Sequence, residues 1–158
     1  MQNTSSIELV HFSEDYVDRL HEFELPEEQQ QFTALPKEIT VGKVGQYPIV
    51  IISNHGPVGF FVLHATERVK EYSNNPHAML LTALSMDYRH QGKGYAKKGM
   101  LALADFVKQE FQHCDEVVLV VNQKNIAAQN LYLKTGFVDN GERRLGPIGE
   151  QIVMHLYL

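Results

Sequence analysis

The chain has 158 residues, 44% of them hydrophobic, and a formal net charge of -5. Such a length and apolar fraction predict one domain over residues 1–158 with a single sizeable core, and they exclude a disordered, collagenous or tandem-repeat chain. The longest aliphatic run, Val117 to Val121, falls far short of the ~20 apolar residues of a membrane helix, and the start MQNTSSIELV lacks the basic and apolar regions of a secretory signal. The expectation is a protein with no membrane association. Cys114 is the single cysteine, forms no internal disulfide, and fits a reducing cytoplasm.

The charge is unevenly placed. Residues 8 to 38 hold nine acids against Arg19 and Lys37, a local balance of -7, which leaves +2 for the remainder. Within that remainder, Arg89, Lys93, Lys97 and Lys98 crowd into ten residues around two glycines. The overall sign argues against a nucleic-acid partner, while an acidic first quarter and a compact basic spot suit two differently charged small ligands.

In chain order, Ile7 to Phe12 alternates weakly and predicts a short strand. Ser13 is an N-cap candidate for a helix through about Phe23, and Glu27 to Phe32 predicts a second short helix closed by Pro36. Tyr47 to Ser53 and Val58 to His64 are β-rich runs around the hairpin signal Asn54-His55-Gly56-Pro57. Glu67 to Pro76 reads as a loop, and Ala78 to Met86 as a strand buried on both faces. From Gly94 the period becomes helical, with Ala96, Met100, Leu103, Ala104, Val107 and Phe111 on one stripe. Glu116 to Val121 predicts a buried strand, and Asn125 to Thr135 a helix ended by Gly136. Phe137 to Asp139, Arg143 to Leu145 and Ile152 to Leu158 supply closing strands. The order β-α-α-β-β-β-α-β-α-β-β predicts a mixed α/β (α+β) fold with helices on both faces of the sheet.

The most informative stretch is Met86-Asp87-Tyr88-Arg89-His90-Gln91-Gly92-Lys93-Gly94-Tyr95-Ala96, where a buried strand passes through a glycine turn into a long helix. Amides at a helix N-terminus carry partial positive charge and bind phosphate. Gly92 and Gly94 remove the Cβ atoms that would hold a pyrophosphate away from them. A dinucleotide fingerprint would need a third glycine at Lys97, and a nucleotide P-loop would need Lys-Ser or Lys-Thr after its second glycine; neither is present.

Arg89-x-x-Gly92-x-Gly94 resembles the Gln/Arg-x-x-Gly-x-Gly/Ala signature of the GNAT superfamily of acetyl-CoA-dependent N-acetyltransferases. Asn125-x-x-Ala128-x-x-Leu131-Tyr132-x-x-x-Gly136-Phe137 is similar to a second element of that family, and the two together cover about residues 78 to 138. The resemblance implies a mostly antiparallel sheet splayed between its fourth and fifth strands, with acetyl-CoA in the slot. It implies that Arg89 and the turn residues Gln91, Gly92, Lys93, Gly94, Tyr95 and Ala96 hold the pyrophosphate. The backbone of Leu84, Ser85 and Met86 would pair with the pantetheine arm and face the acetyl carbonyl. Asn125 would hydrogen-bond that arm, and Tyr132 would protonate the departing thiolate. An amine attacks a thioester directly, so no nucleophilic side chain is required, but the carbonyl oxygen and the sulfur gain negative charge and the amine must lose a proton.

The resemblance implies an acceptor site shaped by the first two helices and the loop after the third strand; Glu22, Glu24, Glu27 and Phe32 are the candidate substrate contacts there, and the carboxylates favour a small cationic amine. Phe137-x-x-Asn140-Gly141-Glu142 and Gly149-Glu150 look similar to the polyamine-acetylating branches. Where those branches often place an acid on the fourth strand, this chain has Leu81-Thr82-Ala83-Leu84. The different-class alternative is a noncatalytic acyl-CoA-binding sensor. No metal is expected, because the eight histidines show neither paired helical spacing nor clustering. Cys114 lies beside Asp115 and Glu116, the wrong setting for a nucleophilic thiolate, and nothing orders Ser85 and His90 into a hydrolase triad. Pairing of two copies into a homodimer is left open.

Overall fold

The computed structural model describes residues 6–54 and 56–158. Its strands are β1 (Glu8–His11), β2 (Gln46–Ser53), β3 (Gly56–His64), β4 (Ala78–Met86), β5 (Glu116–Asn122), β6 (Val138–Gly146) and β7 (Gly149–Tyr157), and its helices are α1 (Val17–His21), α2 (Glu27–Gln30), α3 (Tyr95–Glu110) and α4 (Ile126–Lys134). The strands form one sheet in the order β1-β2-β3-β4-β5-β7-β6. All neighbours are antiparallel except β4 and β5. The mixed α/β fold, its mostly antiparallel sheet and its element order are those expected. The β2–β3 connection falls at the expected hairpin, whose His55 lies outside the described residues. Among the described residues no helix is long and apolar enough to cross a membrane.

Crossovers dictate where the helices lie. Because β4 and β5 are parallel, α3 must run back along the sheet between them. It buries Tyr95, Gly99, Met100, Leu103 and Val107 against the main core, together with Ile49, Ile51, Phe61 and Leu119. A Cβ on Gly99 would sit 3.1 Å from Ile51 Cδ1, so glycine there lets the helix approach β2 closely. β5 and β6 are also parallel, with β7 between them. α4 therefore also runs back along the same face, joining that core through Tyr132. The opposite face carries a second cluster of Leu20, Phe23, Leu25, Leu35, Val50, Phe60 and Val62 under α1 and the segment after it.

The first helix departs from expectation. Ser13 caps only the 3-10 turn Glu14–Tyr16, accepting from the Asp15 N–H, and α1 ends at His21. Phe23 and Leu25 are 1% and 7% exposed while Glu22 and Glu24 are exposed, a period of two that an extended chain satisfies and a helix does not. Burying Phe23 contributes roughly 2–3 kcal/mol, more than the hydrogen bonds another helical turn would add. α2 is likewise one turn long, and part of the expected loop after β3 forms the 3-10 turn Glu67–Glu71. The two closing pieces around Asn140-Gly141 are one strand, β6, with an irregularity between Asp139 and Arg143.

The sheet opens in its middle. β4 and β5 pair only at Ala78–Glu116, Met79–Val117 and Leu80–Val118. Beyond Leu80 the edge of β4 facing β5 has no strand partner, and Thr82, Ala83 and Leu84 become half-buried. The cause lies on the other edge. Thr82 pairs with Val62 and Ser85 with Phe60, so Ala83 and Leu84 together oppose Phe61 in a β-bulge, and Ala83 adopts φ 58°. A bulge bends its strand, and this one turns β4 away from β5 just past their last pair. The sheet is thus splayed between β4 and β5, as the resemblance implied.

Candidate functional site

The open end of this slot meets the glycine turn. After Met86 the chain passes through Asp87 and the 3-10 turn Tyr88–His90 before α3 starts at Tyr95. Gly92 and Gly94 take φ 80° and 79°, and a Cβ on either would meet nothing within 4 Å. The turn is therefore a left-handed conformation opening onto unfilled space, beside the N-terminus of a 16-residue helix whose N-cap, Gly94, offers no side chain to its orphan N–H groups. Lys93 and Lys97 are exposed beside it. These residues fit a pyrophosphate, with backbone donors, a helix dipole and cations on one side of an open concavity. Tyr95 is buried and Ala96 half-buried, so their side chains anchor the helix while their amides belong to the turn.

Arg89 points elsewhere. Its Nε and Nη2 lie 2.9 and 2.6 Å from Asp87 Oδ2, and Nη2 donates to the Glu22 carbonyl at 3.3 Å. Asp87, 1% exposed, also accepts from the Glu24 N–H at 3.2 Å through Oδ1, and the Tyr88 N–H donates to the Glu24 carbonyl. Gln91 exchanges two amide hydrogen bonds with Gln29 of α2, at 3.0 and 3.2 Å, and donates to the Met86 carbonyl. The turn is thus strapped to the segment between α1 and α2. Sequence reading missed Asp87 and Gln29, because a buried carboxylate and an amide pair show their purpose only when partners more than sixty residues away are known.

Inside the slot, the bulge sorts the β4 side chains. Thr82 and Ser85 lie on the α1/α2 face with their partners Val62 and Phe60, and Ala83 packs there too, whereas Leu84 and Met86 pack on the main core. The Ser85 hydroxyl is buried with no hydrogen-bond partner. Across the slot, Asn125 caps α4 by accepting from the Ala128 N–H at 3.3 Å. Tyr132 lies seven residues on, about 10 Å back along the sheet by helical rise, near the depth at which β4 and β5 part. It is 7% exposed, stands edge-on to Phe137 at 5.4 Å, and its hydroxyl engages no partner among the described residues. Burial pushes its pKa well above the ordinary phenol value, so the proton stays on the oxygen.

On the α1/α2 face an open cleft of about 640 Å³ is lined by Glu22, Glu24, Glu38, Lys37, His21 and Arg89, over Phe23, Leu25 and Leu35. Glu22 and Glu24 thus reach a cavity, because the extended segment turns both outward. Glu27 and Phe32 do not line it: Glu27 is exposed in the single turn of α2, and Phe32 is half-buried beyond it. Glu38 is partly committed, since its Oε2 accepts from the Leu35 N–H at 2.9 Å. Among the described residues, no group of histidine, cysteine and carboxylate side chains is placed to hold a metal ion.

Comparison with known proteins agrees with this arrangement. The chain matches the model of the acetyltransferase (GNAT) family over residues 10–137. It is 47% identical over 159 residues to the uncharacterized N-acetyltransferase YbbJ of Bacillus subtilis (strain 168), covering 98% of this chain and 99% of that protein. A spermine/spermidine N(1)-acetyltransferase of the same organism is 29% identical over 96 residues, 61% of this chain and 62% of that one. Among solved structures, an aminoglycoside acetyltransferase in complex with coenzyme A and kanamycin gives a TM-score of 0.77 at 18% identity, covering 96% of this chain and 95% of that chain. A Vibrio cholerae spermidine N-acetyltransferase chimera gives 0.71 at 15%, covering 96% and 95%. At these identities the structural likeness speaks to the fold, while the family match and the relative at 47% speak to descent. With a glycine turn at the mouth of a splayed sheet, the chain belongs to the GNAT family of acetyl-CoA-dependent N-acetyltransferases.

Proposed function

We propose that the protein transfers the acetyl group of acetyl-CoA to a primary amine of a small, extended, cationic acceptor by direct attack of that amine. The observation that carries this reading is the slot itself: an unpaired β4 edge running from the parting point at Leu80 to a turn in which Gly92 and Gly94 carry no Cβ. Bound acetyl-CoA supplies an acetyl thioester. The amides of Gln91 to Ala96 and the charges of Lys93 and Lys97 bind its pyrophosphate, and the backbone of Leu84, Ser85 and Met86 pairs with its arm. Asn125 orients that arm while capping α4. Tyr132, kept protonated by burial, donates to the departing sulfur. In this reading Arg89 acts on the acceptor side, holding the segment that presents Glu22 and Glu24, and Glu27 and Phe32 have no part.

Glu22 and Glu24 attract a cation, and depth selects its length. The cleft lies at the outer end of β4, near Asp87, whereas the strands part near Thr82. Five residues, one of them bulged, separate those points, roughly 13 Å at the strand rise. An acceptor anchored by charge in the cleft must carry its reacting nitrogen that far inward, which favours linear polyamines over short monoamines. The similarity to a spermine/spermidine acetyltransferase points the same way, as do the acids of residues 8 to 38. We place the activity in the cytoplasm, the compartment that suits an acetyl-CoA enzyme with a buried free thiol.

The test is release of CoA thiol from acetyl-CoA with a panel of spermine, spermidine, 1,3-diaminopropane, kanamycin, lysine and a lysine peptide. Rates should rise from diaminopropane to spermidine. Preference for lysine or the peptide would refute the extended-cation reading, and tight acetyl-CoA binding with no transfer to any amine would make the chain a sensor.

A further inference from the structure

At the inner end of the slot, on the α1/α2 face, the last residue of β3 meets β4. His64 is 5% exposed, its Nε2 lies 2.6 Å from Thr82 Oγ1, and its Nδ1 is buried without a partner. In the ladder His64 stands opposite Leu80, the last β4 residue paired with β5. The ring is therefore level with the point where the strands part. Thr82 is two residues farther along, half-buried at the opening.

We propose that Thr82 and His64 are the proton acceptor of the reaction: Thr82 Oγ1 takes a proton from the amine nitrogen while passing its own to His64 Nε2. The inference rests on the acetyltransfer reading above. The N–C bond forms as the C–S bond breaks. One proton leaves the amine and arrives on His64, with the threonine hydroxyl intact before and after, and a second passes from Tyr132 to the sulfur. The imidazolium then gives its proton to solvent, and the tyrosinate takes one back.

Three features support this assignment. The first is placement. Tyr132 comes from the α4 side and the Thr82–His64 pair from the α1/α2 side, so donor and acceptor flank the slot at similar depth without meeting each other. The second is chemistry. Along the opened stretch from Leu81 to Leu84, Thr82 carries the polar side chain, and its oxygen is already joined to an imidazole nitrogen, a group able to take up a proton and release it. The third is charge. Burial, aided by the positive charge of Arg68 on the turn Glu67–Glu71, lowers the His64 pKa to about 4, so the ring enters each cycle neutral with a lone pair available. So weak a base does not deprotonate a free ammonium, and the reacting nitrogen therefore enters as the neutral amine, its ammonium proton already lost to solvent. The base takes the proton from a nitrogen already bonding to carbon, whose N–H is far more acidic, and Arg68 then hastens its loss from the ring.

The relay requires Nε2 to be the acceptor and Nδ1 to carry the resting proton. Nitrogen-15 spectra of histidine-labelled free protein should show that tautomer for His64, with the Nε2 signal displaced in Thr82→Val. In assays with acetyl-CoA and the fastest amine of the panel, Thr82→Val and His64→Gln should lower kcat about 100-fold with calorimetric acetyl-CoA affinity unchanged, and Thr82→Ser should recover most of the loss. Thr82→Val nearly preserves shape and serves should His64→Gln not fold. A protonated Nε2, or kcat within threefold of wild type in Thr82→Val, overturns the relay while leaving the acetyltransferase reading in place. If the wild type acetylates no amine, that reading falls and this inference with it.

Discussion

Gly94→Glu tests the cofactor turn with its effects on folding and on binding separated. Gly94 sits at φ 79° with open space where a Cβ would go, so a side chain costs the fold only the left-handed backbone, about 1–2 kcal/mol. The new carboxylate would share that space with the pyrophosphate. At roughly 6 Å from about two negative charges, and with an effective dielectric of roughly 40, repulsion comes to about 3 kcal/mol, near 100-fold in Kd. Gly141 is a matched control: its φ is 91° and it too has nothing within 4 Å, but it lies in β6 far along the chain from the turn. Calorimetry of acetyl-CoA into folded Gly94→Glu should therefore show about 100-fold weaker binding, eased by salt. Gly141→Ala should lose similar stability and bind normally. Unchanged affinity in Gly94→Glu, or equal loss in both variants, would remove the pyrophosphate from this turn.

Three further outcomes are expected. Tyr132→Phe should lower kcat by roughly 10²–10⁴-fold with acetyl-CoA affinity nearly intact, measured by steady-state kinetics beside calorimetry. Glu22→Gln with Glu24→Gln should raise KM for spermidine more than for a monoamine and flatten its dependence on salt, which kinetics at two ionic strengths would read. His155 should make stability depend on pH. Its Nδ1 lies 2.5 Å from Glu116 Oε2 and its Nε2 2.6 Å from Glu142 Oε1. Burial pulls its pKa down, but hydrogen bonds to the two carboxylates outweigh burial and leave it raised. A raised folded-state value means the stabilisation is full below the unfolded pKa of about 6.5 and fades as pH rises through the folded one. Tm should fall over that window in wild type and stay flatter in His155→Gln.

The order of elements was legible because the chain is punctuated. Gly94 opens α3, Gly136 ends α4, and the apolar run Ala78 to Met86 matches β4 residue for residue. The glycine turn was legible for the same reason, since Gly92 and Gly94 announce a backbone that other residues avoid. Side-chain direction was not. Arg89 lies among cations in the sequence, yet it turns to Asp87, a neighbour whose burial depends on the Glu24 N–H. Glu22 falls at the end of the first predicted helix and Glu24 just past it, and both reach the cleft because Phe23 and Leu25 pull that segment straight. The pairing of His64 with Thr82 follows from the β3–β4 register, which neither strand reveals alone.

The bulge at Ala83 has a consequence for insertions and deletions. Losing one residue from a strand ordinarily exchanges its two faces. Here the surplus residue is the bulge, so a chain without Ala83 would oppose Leu84 to Phe61 and keep Thr82, Ser85 and Met86 on the faces they now occupy. β4 would straighten, its ladder with β5 would lengthen past Leu80, and the core would be undisturbed. Such a protein should melt near the wild-type temperature and bind no acetyl-CoA. Fold and slot are separable here by a single codon.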